Sequence, residues 1–281
     1  MLNHIGFIMD GNRRYSKKNN LEYKEGYKQG MLQFFNILKW QVTSNILTTS
    51  FFALSLDNSK KRDSKELDTI KNLIVSLLED PQFEYFCIEN GVFVQVRGRY
   101  FLNNRINKEL LELDRVKEEK NINYLNKNIV TKKIDVELSS LGFESENELL
   151  ESVEKKIIEF EEKLFNKFEK PKYYVNIALF YDGVDEIITT TQKIAQKVKE
   201  AEIEINDINY ELFTQYSYFS NTSAPQIIVR TGDAPRISGF LLFLSAYSEL
   251  YFTKKLWPEL TNTDLDEIVT WFSSIQRNFG K

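Results

Sequence analysis

Short apolar runs recur along the chain at 4–9, 47–55, 92–97, 173–181 and 226–231. Between most of them, apolar residues return every three or four positions over fifteen residues or more. The runs suit strands buried on both faces, and the longer periodic stretches suit amphipathic helices. Leu67, Ile70, Leu73, Ile74, Leu77 and Leu78 mark one helical face; Ile187, Ile194 and Val198 mark another. Strands alternating with helices predict an α/β fold with a largely parallel central sheet wrapped by helices.

From about 104 to 170 the composition turns rich in Lys, Glu and Asn. There Leu150, Val153, Ile157, Phe160, Leu164 and Phe168 trace a long amphipathic helix whose charged residues form a solvated face. The expectation is a single domain over 1–281 with a charged helical insertion at about 122–168, projecting from the core or packing along it. The 281 residues, 42% hydrophobic, are enough to bury a full core. A net charge of −4 argues against a nucleic-acid partner held by phosphate neutralisation. Cys87 and His4 are the sole residues of their types. An intrachain disulfide and a multi-cysteine zinc site are therefore excluded, and a Ser-His-Asp triad would have to use His4. The longest uncharged run, Trp40 to Leu56, is interrupted by Gln, Thr, Ser and Asn. It reads as a helix end and a strand rather than a membrane span, so a soluble, cytoplasmic protein is expected.

Three strand exits carry chemistry. HIGFIMDGNRRYS at 4–16 runs from a strand into Asp10, Gly11, Asn12, Arg13 and Arg14. Open α/β sheets bind ligands beyond the carboxyl ends of their strands, where helix N-termini and guanidinium forks suit phosphate. Asp10 fits among them if a divalent cation bridges carboxylate and phosphate; a solvated turn is the plainer alternative. RTGDAPRIS at 230–238 supplies Arg230, Arg236 and Ser238, either for a diphosphate or for surface ion pairs. FFALSLDNSKKR at 51–62 adds Ser55, Asp57, Asn58, Lys60, Lys61 and Arg62 as a further wall of the same crevice. Glu249, inside GFLLFLSAYSELYFTKKLWPEL, is costly to bury unless a neighbouring arginine or a metal satisfies it, and both readings stand.

Taken in order, HIGFIMDGNRRY, SLDN, RTGDAPRIS and SELYFTKKLWPEL resemble the motifs of the cis-prenyltransferases, which include undecaprenyl and dehydrodolichyl diphosphate synthases. The Arg-Arg-Tyr of the first motif is nearer the dolichol type. The resemblance runs from His4 to Gly280, apart from the insertion, and no DDxxD motif of trans-prenyltransferases occurs. It implies a hydrophobic product tunnel between sheet and helices, and repeated cis addition of isopentenyl diphosphate to an allylic diphosphate such as farnesyl diphosphate. By the same resemblance Asp10 is the essential acid, acting through Mg2+ shared with Glu249. Gly11, Asn12, Arg13 and Arg14 cradle the allylic diphosphate, and Asn58 assists condensation. Arg230, Arg236 and Ser238 bind isopentenyl diphosphate, with Ser55 and Lys61 beside the substrates. Phe51, Phe52, Leu54 and the helix over 66–88 are expected to line the tunnel. A homodimer is implied, and peripheral membrane contact follows from the insolubility of a long polyprenyl product.

The chain departs from the family pattern at several places. Tyr23 and Tyr27 stand where an arginine and a histidine are usual, Ser59 replaces an aromatic residue, and Lys61 stands where arginine is common. Ala234 replaces an acid, with Asp233 one place earlier. Asn278, beside Arg277, replaces the arginine of the tail that homodimeric members insert into the neighbouring site. These changes keep two alternatives open: irregular, lavandulyl-like coupling of short allylic units, and a noncatalytic subunit of a heteromeric enzyme.

Overall fold

The computed structural model describes residues 2–101, 144–168, 170–220 and 222–276. Its sheet has six strands, β1 (His4–Ile8), β2 (Thr48–Ser55), β3 (Val92–Arg97), β4 (Tyr173–Tyr181), β5 (Ile227–Arg230) and β6 (Glu249–Phe252), in the order β3-β4-β2-β1-β5-β6. Every pairing is parallel. β1, β3 and β5 are buried at every residue, as the continuous apolar runs require of a sheet covered on both faces. β6 was not singled out as a strand by its pattern. It is an edge strand, with Leu250 and Phe252 exposed.

The crossovers are helical: α1 (Asn12–Lys18), α2 (Tyr23–Thr43), α3 (Leu56–Lys61), α4 (Ser64–Leu78), α5 (Pro81–Asn90), α6 (Glu144–Phe165), α7 (Gly183–Lys199), α8 (Tyr210–Tyr216) and α9 (Asn262–Ser274). The stretch 66–88, expected as one helix, divides where Asp80 caps a new helix that has Pro81 in its first turn. Of the charged segment, residues 122–143 lie outside the described residues. The remainder is α6, which buries Val153, Ile157, Phe160 and Leu164 along the core. Its Glu161 accepts a 2.8 Å hydrogen bond from the backbone N–H of Val96 and pairs with Arg97 at 2.6 Å. Because among the described residues β3 pairs only with β4, that carboxylate satisfies an outward-facing donor on the sheet edge.

Side-chain alternation sorts the core onto two faces. Phe51 packs with α2 and α4, whereas Phe52, expected in the tunnel, faces the opposite side and stacks on Phe240 at 5.1 Å. The period of two along a strand forces this separation. A polar row crosses one face of the sheet. Ser50 stands opposite Asn176, and Asn176 opposite Gln95. Asn176 donates to Ser50 Oγ (2.9 Å), Gln95 donates to Asn176 Oδ1 (2.6 Å), and His4 Nε2 meets Ser50 Oγ at 2.7 Å.

On the other face, α2 and α4 leave an apolar cavity partly open to solvent. Met31, Phe34, Phe51, Ala53, Ile70, Leu73, Ile74, Leu77, Ile177 and Trp257 give it apolar walls, while Asn12 and Tyr27 are its polar lining residues. Leu54 is buried in the adjoining core without lining the cavity.

Candidate active site

β1 delivers Asp10 beyond its carboxyl end, and Gly11 turns the chain into α1 with φ 117°. A side chain at Gly11 would come within 2.9 Å of Leu256, so a conformation natural to glycine and a close packing contact coincide there. Both Asp10 carboxylate oxygens are engaged: Oδ1 accepts from Arg14 at 2.9 Å, and Oδ2 from Arg230 at 3.0 Å. Arg14 also donates to the Gly232 carbonyl at 2.6 Å. Gly232 has φ 83°, and a Cβ there would stand 2.2 Å from the Arg14 guanidinium. The nearly buried Arg230 donates from its other nitrogen to the Arg236 carbonyl (2.7 Å) and Ser238 Oγ (2.8 Å). The exposed Arg236 guanidinium makes no ion pair among the described residues. Asp233, Ser238 and Leu241 all hold positive φ, so the loop from 231 to 241 stores backbone strain around its ligating groups.

Asp10, Arg14, Arg230 and Ser238 therefore form one connected cluster, with Arg236 on the same loop. Asn12 stands beside it at the start of α1, its Oδ1 buried without a hydrogen-bond partner and its side chain in the cavity wall. Arg13 lies 3.5 Å from Glu66. Ser55 accepts the backbone N–H of Asn58 at 3.0 Å and so caps α3. Asn58 is exposed on that helix and takes no part in the Asp10 cluster.

Two of the expected residues stand apart from the Asp10 cluster. Lys61, expected beside the substrates, is exposed and pairs with Asp57 at 2.6 Å, one helical turn back along the surface. Arg62 turns inward instead, 3.4 Å from Glu66 and 5.9 Å from the centre of the Tyr27 ring. Glu66 is a buried hub that accepts the Tyr27 hydroxyl and faces Arg13 and Arg62. Burial pushes the Tyr27 phenol well above its usual range; Arg62 and Arg13 oppose that rise, and Glu66 adds to it. The i,i+4 spacing of Arg62 and Glu66 was the available sequence signal; the basic run around them hid it. The second is Glu249, which opens β6 opposite Ile227, whereas Asp10 follows Ile8, opposite Arg230. Strands rise about 3.3 Å per residue, so within one chain the two carboxylates stand at opposite ends of the sheet.

Among the described residues, no cluster of three or more His, Cys, Asp or Glu side chains forms a metal cage. Mg2+ commonly takes one or two carboxylates and completes its shell with water and substrate phosphates. A single carboxylate beside arginines whose guanidinium forks suit phosphate fits a cation of that kind. The Arg277 and Asn278 positions of the tail lie outside the described residues.

A cluster of arginines around one carboxylate at the carboxyl end of a parallel sheet, beside an apolar cavity, is the arrangement expected of an enzyme for substrates that join an anionic head to a hydrocarbon tail. The family model described as putative undecaprenyl diphosphate synthase matches residues 8–130 and 102–280. The chain is 30% identical to the tritrans,polycis-undecaprenyl-diphosphate synthase (geranylgeranyl-diphosphate specific) of Sulfurisphaera tokodaii, over 99% of this chain and 87% of that protein. It is also 30% identical to the enzyme of the same name from Picrophilus torridus, over 99% and 89%. In fold it is similar to lavandulyl diphosphate synthase from Lavandula x intermedia in complex with dimethylallyl diphosphate, with TM-score 0.70, 21% identity and 99% and 98% coverage. A probable undecaprenyl diphosphate synthase from Campylobacter jejuni gives TM-score 0.63 and 24% identity, with 100% and 99% coverage. The chain belongs to the undecaprenyl diphosphate synthase family and is a cis-prenyltransferase.

Proposed function

We propose that the enzyme elongates an allylic diphosphate by cis addition of isopentenyl diphosphate to give a polyprenyl diphosphate. The carrying observation is the doubly ion-paired Asp10 at the mouth of the apolar cavity. Arg13 and Arg14, with the Gly11-Asn12 turn, hold the allylic diphosphate, while Arg230, Arg236 and Ser238 hold isopentenyl diphosphate. Ser55 sits beside the substrates at the head of α3, and Asn58 helps place the isopentenyl group. Asp10 is the ligand for Mg2+, which when bound neutralises charge on the leaving diphosphate.

The residues' contribution follows from where charge develops. As the allylic carbon–oxygen bond breaks, negative charge gathers on the diphosphate, so fixed guanidinium groups favour the transition state over the bound substrate. The walls around Phe34, Phe51 and Ile74 keep water from the cationic carbon. The named specificity of these relatives makes geranylgeranyl diphosphate a primer to set beside farnesyl diphosphate.

A homodimer is the arrangement in which Glu249 keeps its proposed metal role, because a second copy can bring that carboxylate to Asp10. The exposed Leu250 and Phe252 next to it suit such an interface. Among the described residues no helix is long and apolar enough to cross a membrane, and product transfer at a membrane surface is proposed as peripheral contact.

The test is incubation with labelled isopentenyl diphosphate, Mg2+ and either primer, followed by chromatography of the dephosphorylated products. A ladder of single isoprene steps, lost with chelator, is expected. No incorporation by folded protein would refute autonomous elongation and turn attention to a partner subunit or irregular coupling.

A further inference from the structure

The motif LWPEL has no part in the chemistry assigned above, yet it touches the Asp10–Gly11 turn, α2 and the cavity wall. Leu256 packs on Gly11. The backbone N–H of Trp257 donates to the Asp10 carbonyl at 3.0 Å, where Thr231 Oγ1 donates as well at 2.7 Å. The Trp257 indole N–H donates to the Gly30 carbonyl of α2 at 2.8 Å. The ring itself forms part of the cavity wall, edge-on to Phe7 and Phe51 with centroids 6.0 and 6.2 Å away. It is 1% exposed. Gly30 is squeezed between the same partners: a Cβ there would meet Asn12 Oδ1 at 2.3 Å and the Trp257 ring at 3.2 Å.

We infer that Trp257 is a positioning residue that couples the tunnel to the acid at its mouth. Its backbone fixes the peptide carrying Asp10, its indole N–H fixes α2 against Asn12, and its ring is the surface a prenyl tail touches. A close-packed interior transmits small displacements instead of absorbing them. A change at the Asp10 peptide therefore reaches the ring, and a tail against the ring bears on Asp10. The inference rests on the diphosphate reading of the site.

The test uses the full chain labelled with 5-fluorotryptophan. Its three tryptophans, Trp40, Trp257 and Trp271, give fluorine resonances assigned by Trp40→Phe and Trp271→Phe. Inorganic pyrophosphate is titrated, with its binding followed in parallel by calorimetry. Pyrophosphate has no tail to enter the cavity, so a ring that is only wall stays unmoved, whereas a coupled ring shifts and saturates with the calorimetric isotherm. Binding without a shift at Trp257 overturns the inference. Absence of pyrophosphate binding refutes the diphosphate reading and the inference with it.

Trp257→Phe supplies an independent reading, since it keeps the backbone donor and an aromatic wall but loses the bond to Gly30. Misplacement of catalytic groups appears in kcat, so a fall of about tenfold or more is expected with the allylic KM within about threefold. A rise in KM with kcat unchanged would reduce Trp257 to wall.

Discussion

Replacing Asp10 by asparagine separates two roles that one carboxylate combines. In the free enzyme Asp10 occupies Arg14 and Arg230, so an incoming diphosphate must take those guanidinium groups from it. Removing the charge removes a competitor. A unit charge about 4 Å from a phosphate is worth about 4 kcal/mol at an effective dielectric of about 20. The Asp10 side chain is 33% exposed and that of Arg14 50%, so water and salt reduce this to about 1–2 kcal/mol. The asparagine keeps an oxygen to accept from one arginine, and the neighbourhood retains its shape. Without Mg2+, Asp10→Asn should bind pyrophosphate about tenfold more tightly than the wild type, since about 1.4 kcal/mol is a factor of ten. With Mg2+, its turnover should fall on the order of a thousandfold, because stabilisation reserved for the transition state is lost. Calorimetry in chelator and a product assay measure the two quantities on the same preparation. Pyrophosphate affinity in chelator that is unchanged or weaker would show that Asp10 does not compete for the arginines, and the reasoning would fail.

Three further outcomes follow from the packing. Ile74→Phe adds volume inside the cavity and should shift the product ladder to shorter chains; an unaltered ladder would mean the growing chain does not pass this wall. Glu161→Ala removes a buried ion pair with Arg97 together with the acceptor of the Val96 N–H, and should cost about 3–5 kcal/mol in urea unfolding; a loss below about 1 kcal/mol would contradict the weight given to the buried pairing. Burial lowers the His4 pKa from 6.5 to about 4, so between those values the unfolded chain binds a proton that the folded chain does not. Stability is then full above pH 6.5 and declines as pH falls towards 4, by about 3 kcal/mol. Unfolding midpoints at pH 7 and 4.5 should show this decline in the wild type and a smaller one in His4→Gln, whereas equal slopes would remove His4 as its source.

The parallel sheet was legible because strands buried on both faces leave uninterrupted apolar runs, and five of them lie within a residue or so of their observed bounds. β6 was not, because an edge strand of four residues inside a longer apolar stretch has no period of its own. Asp10, Arg14, Arg230 and Ser238 were legible because each lies at or beyond the carboxyl end of a strand, the place from which a parallel sheet presents side chains to a ligand. Glu249 obeys the opposite geometry: it begins its strand, and sequence proximity to an apolar run does not tell entry from exit. The inward turn of Arg62 beside an exposed Lys61 was not legible, because adjacent residues on a helix differ by a large rotation that the linear sequence does not display. Trp257 was visible only as part of a motif; its backbone bond to Asp10 leaves no mark in side-chain chemistry.

The row from Ser50 through Asn176 to Gln95 bears on how this chain finds a single alignment. Parallel strands built from Val, Ile and Phe are forgiving: sliding one by two residues returns every side chain to its own face and leaves apolar contacts of similar worth. Asn176 is not interchangeable in this way. Slid by two positions against β2, it would face Thr48 or Phe52 in place of Ser50. Each buried amide left without a partner costs about 1–3 kcal/mol, so the misaligned sheet is penalised where its hydrophobic contacts would hardly notice. The three side chains thus act as an index mark that separates the native pairing from near-degenerate competitors, in a layer of the protein remote from its chemistry.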